Sequence, residues 1–350
     1  MRYDSHLPIL RELATTKYLV IGGTRPNYVK ISPLLKELKN YKLVHTGQHY
    51  DNDMINNHFK DLKIKPDIIL ERKDKLDLVD ELKDIIKKEK PEMVLVFGDV
   101  DSTFAGALAA NETGTKLAHI ESGLRCFQDI PEEVNRKYID SVADYLFVTE
   151  QSGVDNLEIE KVSGKIFYVG NTMIDTLKDN FDKISKNNGM SDYGVVTLHR
   201  QSNVDNKEML SKMLSGLGNI KENLIWTIHP RTKKRIEEFG LIIPKNIKII
   251  KPMSYLEFNN LVYNSKFVLT DSGGIQEETT FMNIPCLTLR KNTERPITII
   301  SGTNTLVGED FELVDYYLNL INRGQYKKSK KIMFWDGMTG EKIKEILDEI

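Results

Sequence analysis

The chain has 350 residues, 40% of them hydrophobic, with 49 Lys plus Arg against 51 Asp plus Glu and a net charge of −2. That length exceeds what one hydrophobic core usually organises, so two domains are expected. The even balance lacks the basic excess that a nucleic-acid or membrane-surface protein needs, yet leaves room for a local cluster that receives a phosphate. Cys126 and Cys286 stand far apart and form no Cys/His ligand spacing; they read as free thiols of a reducing compartment. The opening MRYDSHLPILRELATTK mixes charges throughout and has no apolar stretch of a signal peptide. No apolar run approaches the roughly 18 residues that span a bilayer. The chain is therefore expected in the cytoplasm, with neither a membrane nor a nucleic acid as partner.

Along the chain, short apolar runs alternate with longer amphipathic stretches. Strands are predicted at 18–21, 42–45, 67–70, 93–97, 116–120, 145–148 and 166–169, then after a break at 194–198, 224–228, 247–250, 267–270 and 285–289. Segments 76–89 and 207–221 carry apolar residues at helical spacing. This rhythm is that of α/β units with parallel sheets. The polar stretch 182–193, containing Asn187-Asn188-Gly189, has a linker's composition. The expected domains are 1–181 and 182–339, followed by an amphipathic helix at 340–350.

The strands run into polar residues suited to chemistry: GGTRP after the first, TGQH after the second, GDVDST after the fourth, then Glu121, His199, His229 and DSGG. Ligands of open parallel sheets bind at such carboxyl ends. In GGTRP the glycines would let the backbone approach a ligand, and a helix is expected to start near Ser32-Pro33, with Arg25 and Lys30 facing an anion. The alternative is a tight turn with a surface arginine. In DSGGIQEE, Ser272, Gly273 and Gly274 can offer a hydroxyl and N–H groups to a diphosphate, and Glu278 can accept bonds from two ribose hydroxyls. The alternative is an N-capped helix with an acidic first turn. Asp99, Glu121, Glu132 and Glu133 are candidate general bases and acids at strand ends or in the following loops, with Arg125 and Arg136 to orient them; ordinary surface acids are the competing reading. His199 and His229 can bond phosphate or protonate a leaving group. No pair of histidines has a metal-binding spacing, so no metal is expected.

GGTRPNYVK, TGQHYD, GDVDST, HIESGLR, PEEVNR, GNTMID, TLHRQSN, DSGGIQEE and TERP together resemble, in order, the signature blocks of the bacterial and archaeal non-hydrolysing UDP-N-acetylglucosamine 2-epimerases. The resemblance covers roughly residue 18 to the last helix. It implies a GT-B-like fold of two Rossmann-like domains facing each other, a UDP-sugar in the interdomain cleft, the last helix crossing back onto the first domain, and a homodimer. It implies interconversion of UDP-N-acetylglucosamine and UDP-N-acetylmannosamine, by anti elimination of UDP to 2-acetamidoglucal and re-addition, without a nicotinamide or other cofactor. Carried over by motif, Arg25, His199 and Ser272 match diphosphate-binding positions and Glu278 the ribose-binding glutamate. Asp99, Glu121 and Glu132 match the catalytic carboxylates, with Lys30 and Arg136 as supporting cations. Gln48, Arg200, His229, Gly273, Gly274 and Arg295 complete the expected substrate contacts.

This chain departs from the pattern in three places. Residues 1–17 precede the family's usual start. HRREN reads HRQSN here. Tyr50 and Asp51 stand where a basic residue and Gln often follow TGQH, so activation by a second UDP-sugar is not implied. The competing functions are a hydrolysing relative that releases N-acetylmannosamine, an epimerase of an oxidised or further substituted UDP-sugar, a GT-B glycosyltransferase and a non-catalytic sensor. The set of carboxylates favours proton abstraction.

Overall fold

The computed structural model describes residues 16–48, 58–184 and 192–350. Tyr50, Asp51 and residues 1–15 lie outside the described residues. The first sheet contains β1 (Tyr18–Gly22), β2 (Tyr41–His45), β3 (Ile68–Ile69), β4 (Met93–Phe97), β5 (Lys116–Ser122), β6 (Tyr145–Val148) and β7 (Lys165–Tyr168). Its order is β3-β2-β1-β4-β5-β6-β7, and neighbouring strands are parallel. The second contains β8 (Tyr193–Thr197), β9 (Asn223–Thr227), β10 (Ile247–Ile250), β11 (Phe267–Thr270), β12 (Cys286–Thr288) and β13 (Asn304–Leu306), in the order β10-β9-β8-β11-β12-β13, again parallel. Central strands such as MVLVF of β4 are buried along their whole length, because helices cover both faces of each sheet.

Each sheet reverses its winding once, between β1 and β4 and between β8 and β11. At such switch points the connections diverge to opposite faces and leave a crevice beyond the strand ends. Four of the polar strand ends, GGTRP, GDVDST, TLHR and DSGG, stand at these two points.

The first helix does not begin near Ser32-Pro33. It runs Arg25–Glu37, directly after β1, with Pro26 in its first turn, where the missing N–H is harmless. Pro33 lies inside it, which leaves the Val29 carbonyl without its intrahelical donor. The Thr176 hydroxyl donates to that carbonyl at 2.6 Å and replaces the lost bond. Lys30 is consequently a mid-helix residue. Strand β13 was not expected: its three residues, Asn-Thr-Leu, form no apolar run.

The helix Thr172–Asp179 packs on both Arg25–Glu37 and Gly273–Met282, and so joins the two halves. The last helix, Thr339–Glu349, buries Ile343 and Leu347 in the core of the first sheet. Tyr18 donates from its hydroxyl to the Leu347 carbonyl, and Asp175 accepts the Gly340 N–H at 2.7 Å. No helix among the described residues is long and apolar enough to cross a membrane.

Candidate active site

A cleft of about 1430 Å³ opens between the carboxyl ends of the two sheets. Arg25, Lys30, Gln48, Asp99 and Glu132 line it from the first half. His199, Arg200, His229, Ser272, Gly273, Gly274, Glu278 and Arg295 line it from the second. Glu121 and Arg136, also expected in the site, are buried behind the first wall and touch residues that line it.

On the first wall, Gly98 takes a φ of +68° at the end of β4 and turns the chain so that Asp99 enters the cleft. Arg136 donates to Asp99 and, at 3.0 Å, to Glu133. Burial alone would raise the Asp99 carboxyl, but Arg136, Lys30 and Arg295 hold it below the usual range, so it is a carboxylate. Glu132 and Glu133 are not loop residues: they open the helix Pro131–Val142. Neighbours on a helix point about 100° apart. Glu133 therefore turns inward to accept the Cys126 and Phe127 N–H groups at 3.0 and 3.3 Å, while Glu132 lines the cleft with no hydrogen-bond or ion-pair partner among the described residues. Arg125 orients none of the cleft carboxylates; it pairs with Asp140 at 2.8 Å and Glu160 at 2.6 Å.

Glu121 has a φ of +69°, beside a register shift between Ile120 and Ser122 on β5. A left-handed residue other than glycine carries strain, and such strain gathers at functional sites. The carboxylate pairs with Lys30 and accepts from Arg295 Nη2 at 2.6 Å. Glu121 and Arg295 thus join the two halves directly.

On the second wall, buried Asp271 accepts the His199 and Arg200 N–H groups at 3.1 and 2.9 Å and fixes the loop after β8. The Ser272 N–H goes to the Thr270 hydroxyl, and the Ser272 hydroxyl does not cap the helix Gly273–Met282. The first-turn N–H groups of that helix therefore face the cleft with their positive end uncovered, a ready anion seat. Glu278 lies one turn on, and burial pushes its carboxyl up to about 7. His229 accepts the Arg231 N–H through Nδ1; burial, with His199 and Arg25 nearby, lowers its basicity. From the facing wall, Gln48 is committed to Ser102, accepting its N–H at 3.1 Å and its hydroxyl at 2.6 Å.

One glycine reading changes, that of Gly23, and Gly273 gains a second reason to lack a side chain. A side chain at Gly273 would strike Arg295 and Glu294, and one at Gly23 would strike Ser102 and Thr46. These glycines admit neighbouring side chains of the protein itself.

Sequence reasoning passed over Glu277, Arg290 and Glu294. Arg295 Nη1 donates to Glu294 at 2.5 Å, Arg290 pairs with Glu294 at 2.7 Å, and Arg200 approaches Glu294 at 3.6 Å. Burial opposes ionisation of Glu294, but Arg295 and Arg290 hold its carboxyl well below the usual range. Glu277 stood in DSGGIQEE and Glu294 in TERP, yet nothing local separates a buried ion-pair partner from a surface acid. No group of three or more His, Cys, Asp or Glu able to hold a metal forms among the described residues.

Residues 35–348 match the family model for UDP-N-acetylglucosamine 2-epimerase. The UDP-N-acetylglucosamine 2-epimerase of Methanocaldococcus jannaschii is 39% identical, over 95% of this chain and 98% of its own length. A crystal structure of the M. jannaschii enzyme in complex with UDP-GlcNAc and UDP superposes with a TM-score of 0.89 at 38% identity, covering 95% of this chain and all of that one. The UDP-2,3-diacetamido-2,3-dideoxy-D-glucuronate 2-epimerase of Pseudomonas aeruginosa is 37% identical over 85% of this chain and 90% of its own. With two facing parallel-sheet units, a shared cleft and likeness along nearly its whole length, this chain belongs to the UDP-N-acetylglucosamine 2-epimerase family.

Proposed function

We propose that the chain is an isomerase that inverts C2 of UDP-N-acetylglucosamine, giving UDP-N-acetylmannosamine. One observation carries the reading: the carboxylates Asp99 and Glu132 of the first half face the anion seat of His199 and the helix Gly273–Met282 across one cleft, with Arg25 beside them on the first wall. A carboxylate takes the C2 proton as the C1–O bond breaks, and the bonding pair forms C1=C2. The diphosphate leaves with that oxygen's charge, onto the helix N-terminus and the cations beside it. Return of UDP to C1, with a proton delivered to the opposite face of C2 by a second carboxyl group that enters the step protonated, completes the inversion; solvent then resets the two groups. Arg25, Gln48, Arg200, His229, Ser272, Gly273, Gly274 and Arg295 are assigned to substrate binding and orientation, with Glu278 on the ribose and Lys30 as the cation that supports Glu121. Glu121 and Arg136 act from behind the wall. The domain limits that accompany this reading are 1–181, 182–339 and 340–350, and the enzyme is a cytoplasmic homodimer. Light scattering that gives the mass of one chain would remove the dimer.

The test is turnover of UDP-N-acetylglucosamine alone in D₂O, followed by proton NMR. Mannosamine-nucleotide signals with deuterium at C2 are expected, with slow leakage of UDP and 2-acetamidoglucal. An epimerised product without deuterium rules out the mechanism, and stoichiometric free N-acetylmannosamine moves the chain to the hydrolysing enzymes. The Pseudomonas relative favours one second reading, a further substituted UDP-sugar as substrate. Faster turnover of the diacetamido-glucuronate nucleotide would select it.

A further inference from the structure

The helix Gly273–Met282 has two working sides within one turn. Its N-terminus and Glu278 face the cleft, whereas Glu277 is fully buried and turned toward the first half. Oε1 of Glu277 accepts from Asn171 Nδ2 at 2.8 Å and lies 3.0 Å from Arg295 Nε, while Oε2 has no partner. The same guanidinium reaches Glu294 through Nη1 and Glu121 through Nη2, at 2.5 and 2.6 Å. Its three nitrogens are thus shared among three buried carboxylates, one from the first half and two from the second. Gly273 belongs to the arrangement, since any side chain there would displace Arg295.

We infer that Glu277 is a positioning residue that holds the Arg295 guanidinium against Glu121, and so ties seating of the nucleotide on the helix Gly273–Met282 to the placement of that carboxylate. The inference rests on the function proposed above. Without Glu277, the guanidinium swings toward Glu294, which already holds one of its nitrogens. Glu121 then keeps Lys30 alone and is free to drift in the cleft wall. A displacement near 1 Å at a reacting group costs on the order of 10²-fold in turnover. Binding of UDP itself uses the N-terminus and Glu278 on the other side of the helix, so only contacts of the sugar with Arg295 change. Burial pushes the Glu277 carboxyl up, and the Arg295 guanidinium opposes that push.

The experiment compares wild type, Glu277→Gln and Glu277→Leu. Gln keeps the oxygen that Asn171 bonds but weakens the hold on Arg295; a threefold to tenfold loss of kcat is expected. Leu removes the hold, and a loss of about 10²-fold is expected. In both variants the Kd for UDP by calorimetry stays within threefold of wild type. Full kcat in Glu277→Leu, or a parallel fall of kcat and UDP affinity, overturns the inference. If Glu277→Leu does not fold, wild-type kcat in Glu277→Gln overturns it alone. A readout independent of turnover is the ¹³C carboxyl resonance of Glu121, assigned through Glu121→Gln. Added UDP should move it in wild type and leave it unmoved in Glu277→Leu, or move it less in Glu277→Gln. An equal shift in all three ends the proposal even if the substrate proves to be another sugar, whereas inactive wild type with the expected shifts would fault only the assigned reaction.

Discussion

The two walls of the cleft are built from the same kind of strand ends and finished in opposite ways. On the first wall, most charges are already paired: Asp99 with Arg136, and Glu121 with Lys30 and Arg295, all but Asp99 almost fully buried, which leaves Glu132 open to the cleft. On the second, donors are left open: His199 has Nδ1 3.2 Å from Asp271 yet exposes 45% of its side chain, and the helix Gly273–Met282 starts without a side-chain cap. A wall with its charges held in place before substrate arrives suits proton transfer, which needs fixed geometry. A wall with unspent N–H groups suits a ligand that brings its own negative charge.

Exchanging charge for a neutral isostere on the first wall should therefore separate rate from binding most sharply. Asp99→Asn, Glu121→Gln and Glu132→Gln should each lower kcat by roughly 10²–10⁴-fold, with the calorimetric Kd for UDP nearly unchanged. A variant that turns over at the wild-type rate marks its residue as structural and weakens the contrast.

The second wall should show the reverse. Glu278→Ala removes charge-assisted bonds to the ribose worth roughly 1.5–3 kcal/mol, or about ten- to a hundredfold in UDP affinity. Because burial sets the free carboxyl at about 7, the residue also predicts a direction with pH. Below that value the carboxyl is protonated and must lose its proton to accept both hydroxyls. UDP affinity should rise with pH up to about 7 and level off above it. The phosphate and the rest of the cleft are common to both proteins, so the part of the rise absent from Glu278→Gln belongs to Glu278. Identical pH profiles for wild type and Glu278→Gln would take Glu278 out of the binding step.

The smallest effect is the most discriminating for the open helix end. Losing an N-cap hydroxyl ordinarily costs about 1 kcal/mol. The Ser272 hydroxyl makes no such bond, so Ser272→Ala should change ligand-free stability in urea by less than about 0.5 kcal/mol while weakening UDP binding. A full capping loss would mean that the second wall, too, is spent before the ligand arrives.

Much of this fold was legible because a strand buried on both faces must be a continuous apolar run; YLVIG, MVLVF and FVLT announce themselves. The short edge strand Asn304–Leu306 does not, and sequence gave no reason to expect it. The start of the first helix was misplaced because Pro33 resembles a first-turn proline. Its tolerance depends on Thr176, 143 positions on, and local spacing holds no trace of that bond. In the site, residues at strand ends were found because chain direction puts them there. Glu277, Arg290 and Glu294 were not, since their role comes from which opposite charge lies beside them after folding. Arg125 erred the other way: near Glu121 in sequence, it is drawn off by Asp140 and Glu160.

The left-handed backbone at Glu121 has a consequence for how this protein can be altered. Glycine adopts that conformation freely, whereas any residue with a Cβ does so at a cost of about 1 kcal/mol. Glutamate here also has to be kept in a dry interior by two cations. Selection for a tougher fold alone would drift toward glycine at this position, and toward a protein that survives heating better while its chemistry disappears. Thermal screening of variants is thus a misleading guide at position 121, where the least comfortable side chain is the one the proposed reaction uses.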